Sequence, residues 1–152
     1  MKNVFLRISG LLVLVVLIAS SCGTTKEAVT ISDEEKMAFA QKEGDTIKIT
    51  NEDIEYDIII IEPGFNNWIN SIARPEGYYS QSFLENRNHL FVMEWNQRVL
   101  RQGSFNNDLY ILPIDYQPNI DYGYDVNYKL YNYFIYFQRK YKQRLGPFLP
   151  RI

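Results

Sequence analysis

The sequence has little of several residue types on which common enzyme sites depend. Of its 152 residues one is cysteine and one is histidine, so no disulfide can form within the chain, and a serine triad would have to use His89. No Gly-x-Ser-x-Gly motif is present, and the eight glycines are too scattered to build a phosphate-binding loop. These absences argue against a serine triad and against nucleotide binding.

Metal-ligating residues are also sparse. Glu85 and His89 stand four residues apart and could supply two ligands from one helical face, but a site needs three or four and no second cluster offers them. The oxygen-rich stretch 119–127 does not have EF-hand spacing and lacks the final glutamate, so a turn with a helix cap explains it better. We therefore assign no metal ligand, no cofactor and no catalytic residue.

The longest unbroken apolar run, Leu11–Ile18, has eight residues, whereas a membrane-spanning helix needs roughly 20. It follows the positive charges of Lys2 and Arg7 and precedes three small residues and Cys22. Charge, a short apolar run and small residues, in that order, are typical of an export signal. The pattern predicts that residues 1–21 are a signal peptide rather than a retained membrane helix.

A cysteine directly after such a segment resembles the bacterial lipobox, in which the sulfur is diacylated and the signal is removed. Ala19 stands where leucine is commonest. The alternative, a buried or redox-active thiol, is disfavoured because polar sequence follows Cys22 at once. We predict that Cys22 is the lipid-carrying first residue and that the chain contacts the lipid bilayer through it. The expected location is the cell envelope, at the outer membrane, with the periplasmic face and the surface both open.

Residues 22–45 are polar and acid-rich, which predicts a lipidated, flexible tether. Within it, Ser32 and Glu35 stand in capping-box register for a short helix that would reach Gln41. Residues 46–152 are expected to form a single globular domain, because an aromatic content of 15% supplies a large area to bury.

Two strands of a hairpin are predicted at Thr46–Thr50 and Ile54–Ile61, with turn-forming residues between them. One face of the second strand begins polar and becomes apolar at Ile59 and Ile61, which predicts that this end is covered. A third strand is predicted at about Leu109–Tyr116, and its proline favours the edge of a sheet.

Three helices are predicted from apolar spacing and end signals. The first is short and covers Asn66–Ala73. The second is capped by Ser80 and reaches about Gln102; the third begins at a cap, Asp125, and stops at Gly146. The predicted fold class is α+β, with a small antiparallel sheet of about three strands packed with two longer helices and one short helix.

One set of residues combines aromatic rings with amide and acid groups. Sugars are bound by stacking on such rings while polar groups take the hydroxyls, and paired carboxylates can hydrolyse a glycosidic bond. The alternative is that most of these rings belong to the core. The candidate ligand-binding residues are Trp68, Tyr78, Tyr79, Glu94, Trp95 and Asn96.

A basic cluster lies near the end of the last helix, at Arg139, Lys140, Lys142 and Arg144. Three interpretations stay open: contact with anionic head groups, contact with the acidic segment before Glu62, and a solvated helix end. Nucleic acid is not expected as a partner, because an exported protein does not meet it.

Several strings together resemble a family of short, uncharacterised lipoproteins of Bacteroidota-type Gram-negative bacteria, catalogued as a domain of unknown function, and the resemblance runs from about 46 to 146. The resemblance implies the lipoprotein topology and a single domain, with no activity, ligand or catalytic residue. The strings are GFNNW (64–68), YYS (78–80), LENRN (84–88), EWNQRV (94–99), YGYDVNY (122–128), YNYFIYF (131–137) and QRLG (143–146).

The expected function is that of a membrane-anchored lipoprotein of the cell envelope, acting as a non-enzymatic binding or structural module. Its partner would be an envelope protein or a glycan. The competing hypothesis is a small envelope hydrolase that uses carboxylates such as Glu94 on glycan or peptidoglycan.

Overall fold

A computed structural model describes residues 29–42, 44, 46–51, 56–101, 103, 105 and 108–152. The predicted signal peptide and the predicted lipidation site, Cys22, lie outside these residues. In chain order the elements are α1 (Asp33–Phe39), β1 (Thr46–Asn51), β2 (Tyr56–Ile61), α2 (Phe65–Ser71), α3 (Gln81–Leu100) and α4 (Gly123–Lys140). The fold is mixed and helix-rich, and in these ranges no helix has both the length and the apolarity to cross a bilayer.

Helix α4 is the centre of the molecule, since it packs against α3, β1 and α2. It runs parallel to α3: near their starts Asn88 donates to the Asn127 carbonyl, and further along the rings of Trp95 and Phe134 lie 6.1 Å apart. Because neighbours surround it, α4 is buried at almost every position from 126 to 139. The many aromatic residues of this segment therefore form the core, which explains their number.

The predicted bounds of the last helix are wrong at both ends. It begins after Tyr122, with no side-chain cap, and Asp125 lies in its first turn as the ion-pair partner of Lys129 at 2.6 Å. It ends at Lys140, so the buried Leu145 belongs to the segment that follows. The predicted helices over α2 and α3 are confirmed, with Ser80 capping α3 through a bond from Phe83 N.

The predicted hairpin is confirmed: β1 and β2 pair antiparallel, from Thr46 opposite Ile61 to Asn51 opposite Tyr56. The predicted third strand at Leu109–Tyr116 is wrong, because this segment is irregular. Side chains of helix α3 bind the backbone of this segment instead. The Asn96 side chain donates to the Ile114 carbonyl and accepts from the Ile114 amide, at 2.9 and 2.8 Å. These bonds occupy groups that a strand would offer to a neighbouring strand.

Helix α1 was predicted as part of a flexible tether, but it packs on the domain. Its capping box is present, with Ser32 Oγ accepting from the Glu35 amide and Glu35 Oε2 accepting from the Ser32 amide. Both Glu35 and Ala38 are fully buried, and Glu35 forms a bidentate pair with Arg139 in which both N–O distances are 2.5 Å. The spacer interpretation of 22–45 therefore does not extend over this helix.

Candidate functional site: an apolar groove beside strand β2

A groove of about 930 Å³ runs between strand β2 and the irregular segment 108–115. We call it the β2 groove. One rim is formed by Ile59–Ile61 and the other by residues of the 108–115 segment. The lining also includes four aromatic side chains, of which Trp95 and Phe137 belong to the buried core: Trp95, Tyr133, Phe137 and Tyr141.

The rims of the groove carry large aliphatic side chains that are open to solvent. Ile59 and Ile61 are 59% and 68% exposed, and across the groove Ile111 and Leu112 are 71% and 72% exposed. The prediction that Ile59 and Ile61 would be covered is therefore wrong. Single exposed apolar residues are common, but several around one concave site mark a surface that binds something.

The groove meets the edge of β2 rather than one of its faces. Successive side chains of a strand point to opposite faces, yet three consecutive residues, Ile59, Ile60 and Ile61, contribute to the lining. Within the described residues β1 is the only strand that pairs with β2, so one edge of β2 has no strand partner there. A row of backbone donors and acceptors at such an edge can pair with another chain.

The 108–115 rim is fixed in place by α3. Besides the two bonds from Asn96, the indole of Trp95 donates to the Leu112 carbonyl at 2.9 Å. The Trp95 ring also lies 4.9 Å from the ring of Tyr110, in an edge-to-face arrangement. The irregular segment is therefore held at its backbone while the side chains of Ile111 and Leu112 stay exposed.

At the polar end of the groove, the negative charge of Glu62 is compensated by Lys140 of the same chain. The Glu62 carboxylate accepts from Lys140 Nζ at 2.7 Å and from the Tyr141 hydroxyl at 2.8 Å. Burial raises the pKa of Tyr141, and the neighbouring Glu62 raises it further. Burial likewise raises the pKa of Tyr133. Both phenols are therefore uncharged at neutral pH, and this aromatic wall suits an apolar ligand.

The six predicted ligand-binding residues do not form one site. Trp68 is fully buried, and its indole donates to Glu35 Oε1 at 3.2 Å. Glu94 is tied to Arg98 by an ion pair of 2.8 Å. Trp95 and Asn96 help to build the β2 groove, Trp95 in its lining and Asn96 through the rim that it holds.

The two predicted tyrosines lie elsewhere. Tyr78 is 57% exposed, and its ring meets that of Tyr79 at a centroid distance of 4.7 Å. Tyr79 in turn stacks on Phe83 at 4.6 Å, beside Tyr131. The rings of Tyr79, Phe83 and Tyr131 line a second cleft that is separate from the β2 groove, and Tyr78 lies next to Tyr79 in the chain without lining the cleft.

Sequence reasoning missed the residues that distinguish the groove, namely the exposed aliphatic side chains of its rims. The available signal was the change from polar to apolar at Ile59 and Ile61. That change favours burial under other parts of the domain, because a single sequence does not show whether the covering element belongs to the same chain.

The residues weighed for metal binding surround a cleft of about 490 Å³ that includes Glu85, His89 and Asp121. The amide of Gln81 donates to both Glu85 and Asp121 at 2.8 Å and so bridges the two carboxylates. In the part of the chain that the structure describes, no three metal-ligating side chains cluster. The turn interpretation of 119–127 agrees with the Asp121 carboxylate, which accepts from the Gly123 amide at 2.9 Å.

Comparison with known proteins identifies the family of the chain and no individual relative. The model of a family of unknown function, DUF6146, matches residues 10–148, a range wider than the 46–146 over which the sequence resemblance runs. Neither a curated protein nor a solved structure matches this chain. Since the family model covers nearly the whole sequence, the chain belongs to this family of unknown function, DUF6146.

Proposed function

We propose that this protein is a lipid-anchored, non-enzymatic binding module of the cell envelope, and that its β2 groove takes an extended apolar segment of another envelope protein. The observation that carries the binding role is the set of exposed aliphatic side chains on both rims of one groove, at an edge of β2 that pairs with no other described strand. The anchoring role is supported by the order of charge, apolar run and small residues before Cys22.

An added strand suits the geometry of the groove. Its backbone would pair with β2, and its alternate side chains would point to the aromatic wall and away from it. A strand of about five residues, roughly 17 Å long, is the usual length for such a site. The apolar positions of the partner would cover Ile59 and Ile61 from the edge.

The charges of the groove lining indicate the flanks of the partner segment. The lining contains three acidic residues, Glu62, Asp108 and Asp115, and no basic residue. Glu62 is paired with Lys140, and Asp108 and Asp115, which also interact within the chain, are exposed on the opposite rim. Basic residues beside the apolar segment would therefore be favoured over acidic ones.

A labelled probe peptide tests the binding role. The probe alternates valine and threonine and carries lysines at both ends, and its binding to the purified domain is followed by fluorescence anisotropy. Ile61→Lys and Leu112→Lys should each weaken binding by about tenfold, because each removes apolar contact area and adds a like charge. Leu100→Lys is the matched control, since Leu100 is 83% exposed but does not line the groove.

A second probe tests the strand pairing. The same peptide with proline at alternate positions cannot donate backbone hydrogen bonds from those positions and should bind at least about tenfold more weakly. Equal binding of both peptides, or equal binding by Ile61→Lys and Leu100→Lys, would refute the proposed use of the groove. Binding of a labelled glycan strand in place of the peptide would replace the proposed partner.

A further inference from the structure

A second cleft, of about 450 Å³, lies between α3, α4 and the C-terminal segment 144–151. Its lining contains three arginines, Arg87, Arg144 and Arg151, and no acidic residue. The rest of the lining is aromatic or aliphatic. We call it the arginine cleft. Its composition is the opposite of the β2 groove, whose charged lining residues are all acidic.

Two of the three guanidinium groups in this cleft, those of Arg87 and Arg144, differ in their pairing from three other cations of the chain. Arg139, Arg98 and Lys140 each form an ion pair with a carboxylate. Within the described residues Arg87 and Arg144 have no ion pair: the Arg87 guanidinium lies 3.2 Å from the ring centre of Phe148 and 5.1 Å from that of Phe83.

Arg144 donates to the Pro147 carbonyl at 2.6 Å, which holds its side chain beside the cleft. Two phenols complete the wall, with the rings of Tyr79 and Tyr131 5.3 Å apart. Burial raises the pKa of Tyr131, and Tyr79 raises it further, so Tyr131 keeps its hydroxyl proton. The cleft thus offers N–H and O–H donors beside apolar rings. This combination suits an anionic ligand that carries an apolar group.

The arginine cleft lies next to the place where the described chain begins. Leu149 lines this cleft and also two smaller clefts that Val29 lines. Arg151 and Arg144 each line one of those smaller clefts as well. Val29 follows Cys22 by seven residues, which span at most about 25 Å when fully extended. A lipid anchor at Cys22 would therefore hold the arginine cleft near the bilayer surface.

We infer that the arginine cleft binds the phosphate headgroup of an anionic phospholipid in the membrane that carries the anchor. The guanidinium groups contact the phosphate, and Phe148 and Leu149 lie at the level where headgroups meet acyl chains. The location rests on the proposed function, whereas headgroup recognition is a property of the cleft itself. In the predicted basic cluster, Arg139 pairs with Glu35 of the acidic segment before Glu62, as one of the three interpretations predicts, and Lys140 pairs with Glu62. Lys142 and Arg144 are exposed.

Vesicle binding tests the inference without the anchor. The chain from residue 22, with Cys22→Ser, is mixed with vesicles of phosphatidylcholine alone or with added phosphatidylglycerol, and bound protein is measured by co-sedimentation. The protein should bind the vesicles that contain phosphatidylglycerol more tightly. Arg144→Gln with Arg151→Gln should reduce that binding by about 25-fold, and adding Arg87→Gln should bring the loss to roughly 100-fold, about fivefold for each arginine.

A charge-matched control separates the cleft from general electrostatics. It carries Lys42→Gln, Arg101→Gln and Lys129→Gln, three cations that do not line the arginine cleft or its two neighbours. The double variant keeps the Arg87 packing, and near-ultraviolet circular dichroism checks that each variant is folded. Equal losses in cleft and control variants would overturn the inference, as would binding of glycerol phosphate in solution without binding to phosphatidylglycerol vesicles.

The outcome is independent of the fate of Cys22 in the cell. If the native protein is acylated but the cleft variants bind vesicles as tightly as the wild type, the headgroup site is refuted and the proposed function stays intact. Cleft-dependent vesicle binding by a chain whose native form is not acylated would refute the anchor and leave the headgroup site.

Discussion

Replacing Glu35 with glutamine would leave the guanidinium of Arg139 charged in the core without its carboxylate. The Arg139 side chain is 4% exposed and that of Glu35 is fully buried. Glu35 also accepts from the Trp68 indole and from the Ser32 amide. Arg139 keeps two further bonds, to the carbonyls of Thr30 and Pro150, each 2.8 Å long.

The expected loss follows from the cost of a buried, unpaired charge. Breaking one partner of a buried pair costs about 3–5 kcal/mol. Glutamine can still accept one hydrogen bond from Arg139, so the lower end of that range, about 3 kcal/mol, is expected for Glu35→Gln. A domain of this size would lose on the order of 10 °C in its melting temperature. The free energy of unfolding is measured by urea denaturation followed by circular dichroism.

A double variant decides whether the unpaired charge causes that loss. Glu35→Met with Arg139→Met removes both charges, and replacing a buried pair with apolar residues is often nearly neutral. The Trp68 indole would still lose its acceptor, which costs about 1–3 kcal/mol. The double variant should therefore be at least as stable as Glu35→Gln. A double variant clearly less stable than the single one would refute this reasoning.

The same pair predicts the acid stability of the protein. Burial alone raises the pKa of Glu35, but hydrogen bonds from Arg139, Ser32 and Trp68 outweigh it, so the pKa lies below its ordinary value of 4.5. A lowered folded-state pKa stabilises the fold above the unfolded-state pKa, and the contribution disappears as the pH falls through the folded-state value. The stability difference between wild type and Glu35→Gln should be constant at neutral pH and shrink below about pH 4.5. A difference that does not change with pH would contradict the assignment.

Three further predictions concern stability. Gly64→Ala should lower the free energy of unfolding by more than about 3 kcal/mol, because Gly64 has φ +83° and a Cβ there would lie 1.9 Å from the Ala38 carbonyl oxygen. The matched control is Gly77→Ala, at a position with the same φ and open space, which should cost about 1 kcal/mol; both are measured by urea denaturation. Burial raises the pKa of Tyr116 to about 12, so the free energy of unfolding, measured by urea denaturation, should fall as the pH rises from 10 towards 12. Glu94→Gln should lower the free energy of unfolding by about 1 kcal/mol, because Arg98, 8% exposed, loses its ion-pair partner but keeps its bond to Tyr110. If the protein hydrolyses envelope glycan and this variant loses that activity with its fold intact, the result would favour the hydrolase hypothesis.

Local sequence signals predicted the elements whose stability is decided locally. The capping box at Ser32 and the spacing of α3 and α4 are short-range patterns, and the structure contains the corresponding helices. The hairpin likewise follows from two strand signals close together in the chain. Tertiary contacts decided the rest. The segment 108–115 has a strand-like composition, but Asn96 and Trp95 bind its backbone from α3.

The candidate sites were harder to predict, because each depends on contacts between distant parts of the chain. Glu35 has the sequence signature of a helix cap, yet its partner Arg139 lies 104 residues away. Trp68 has the features of a sugar-stacking residue but donates to that same carboxylate. The exposure of Ile59 and Ile61 is set by the width of a groove whose far rim, at Ile111, is distant in sequence.

The lipid anchor at Cys22 is the claim on which the location of both binding surfaces depends. Intact mass spectrometry of the native protein, purified from the membranes of its own cell, tests it most directly. We expect a chain that begins at Cys22 and carries the added mass of two or three fatty acyl chains with their glycerol. A chain that still begins at Met1, or one that begins at residue 22 with an unmodified thiol, would contradict it.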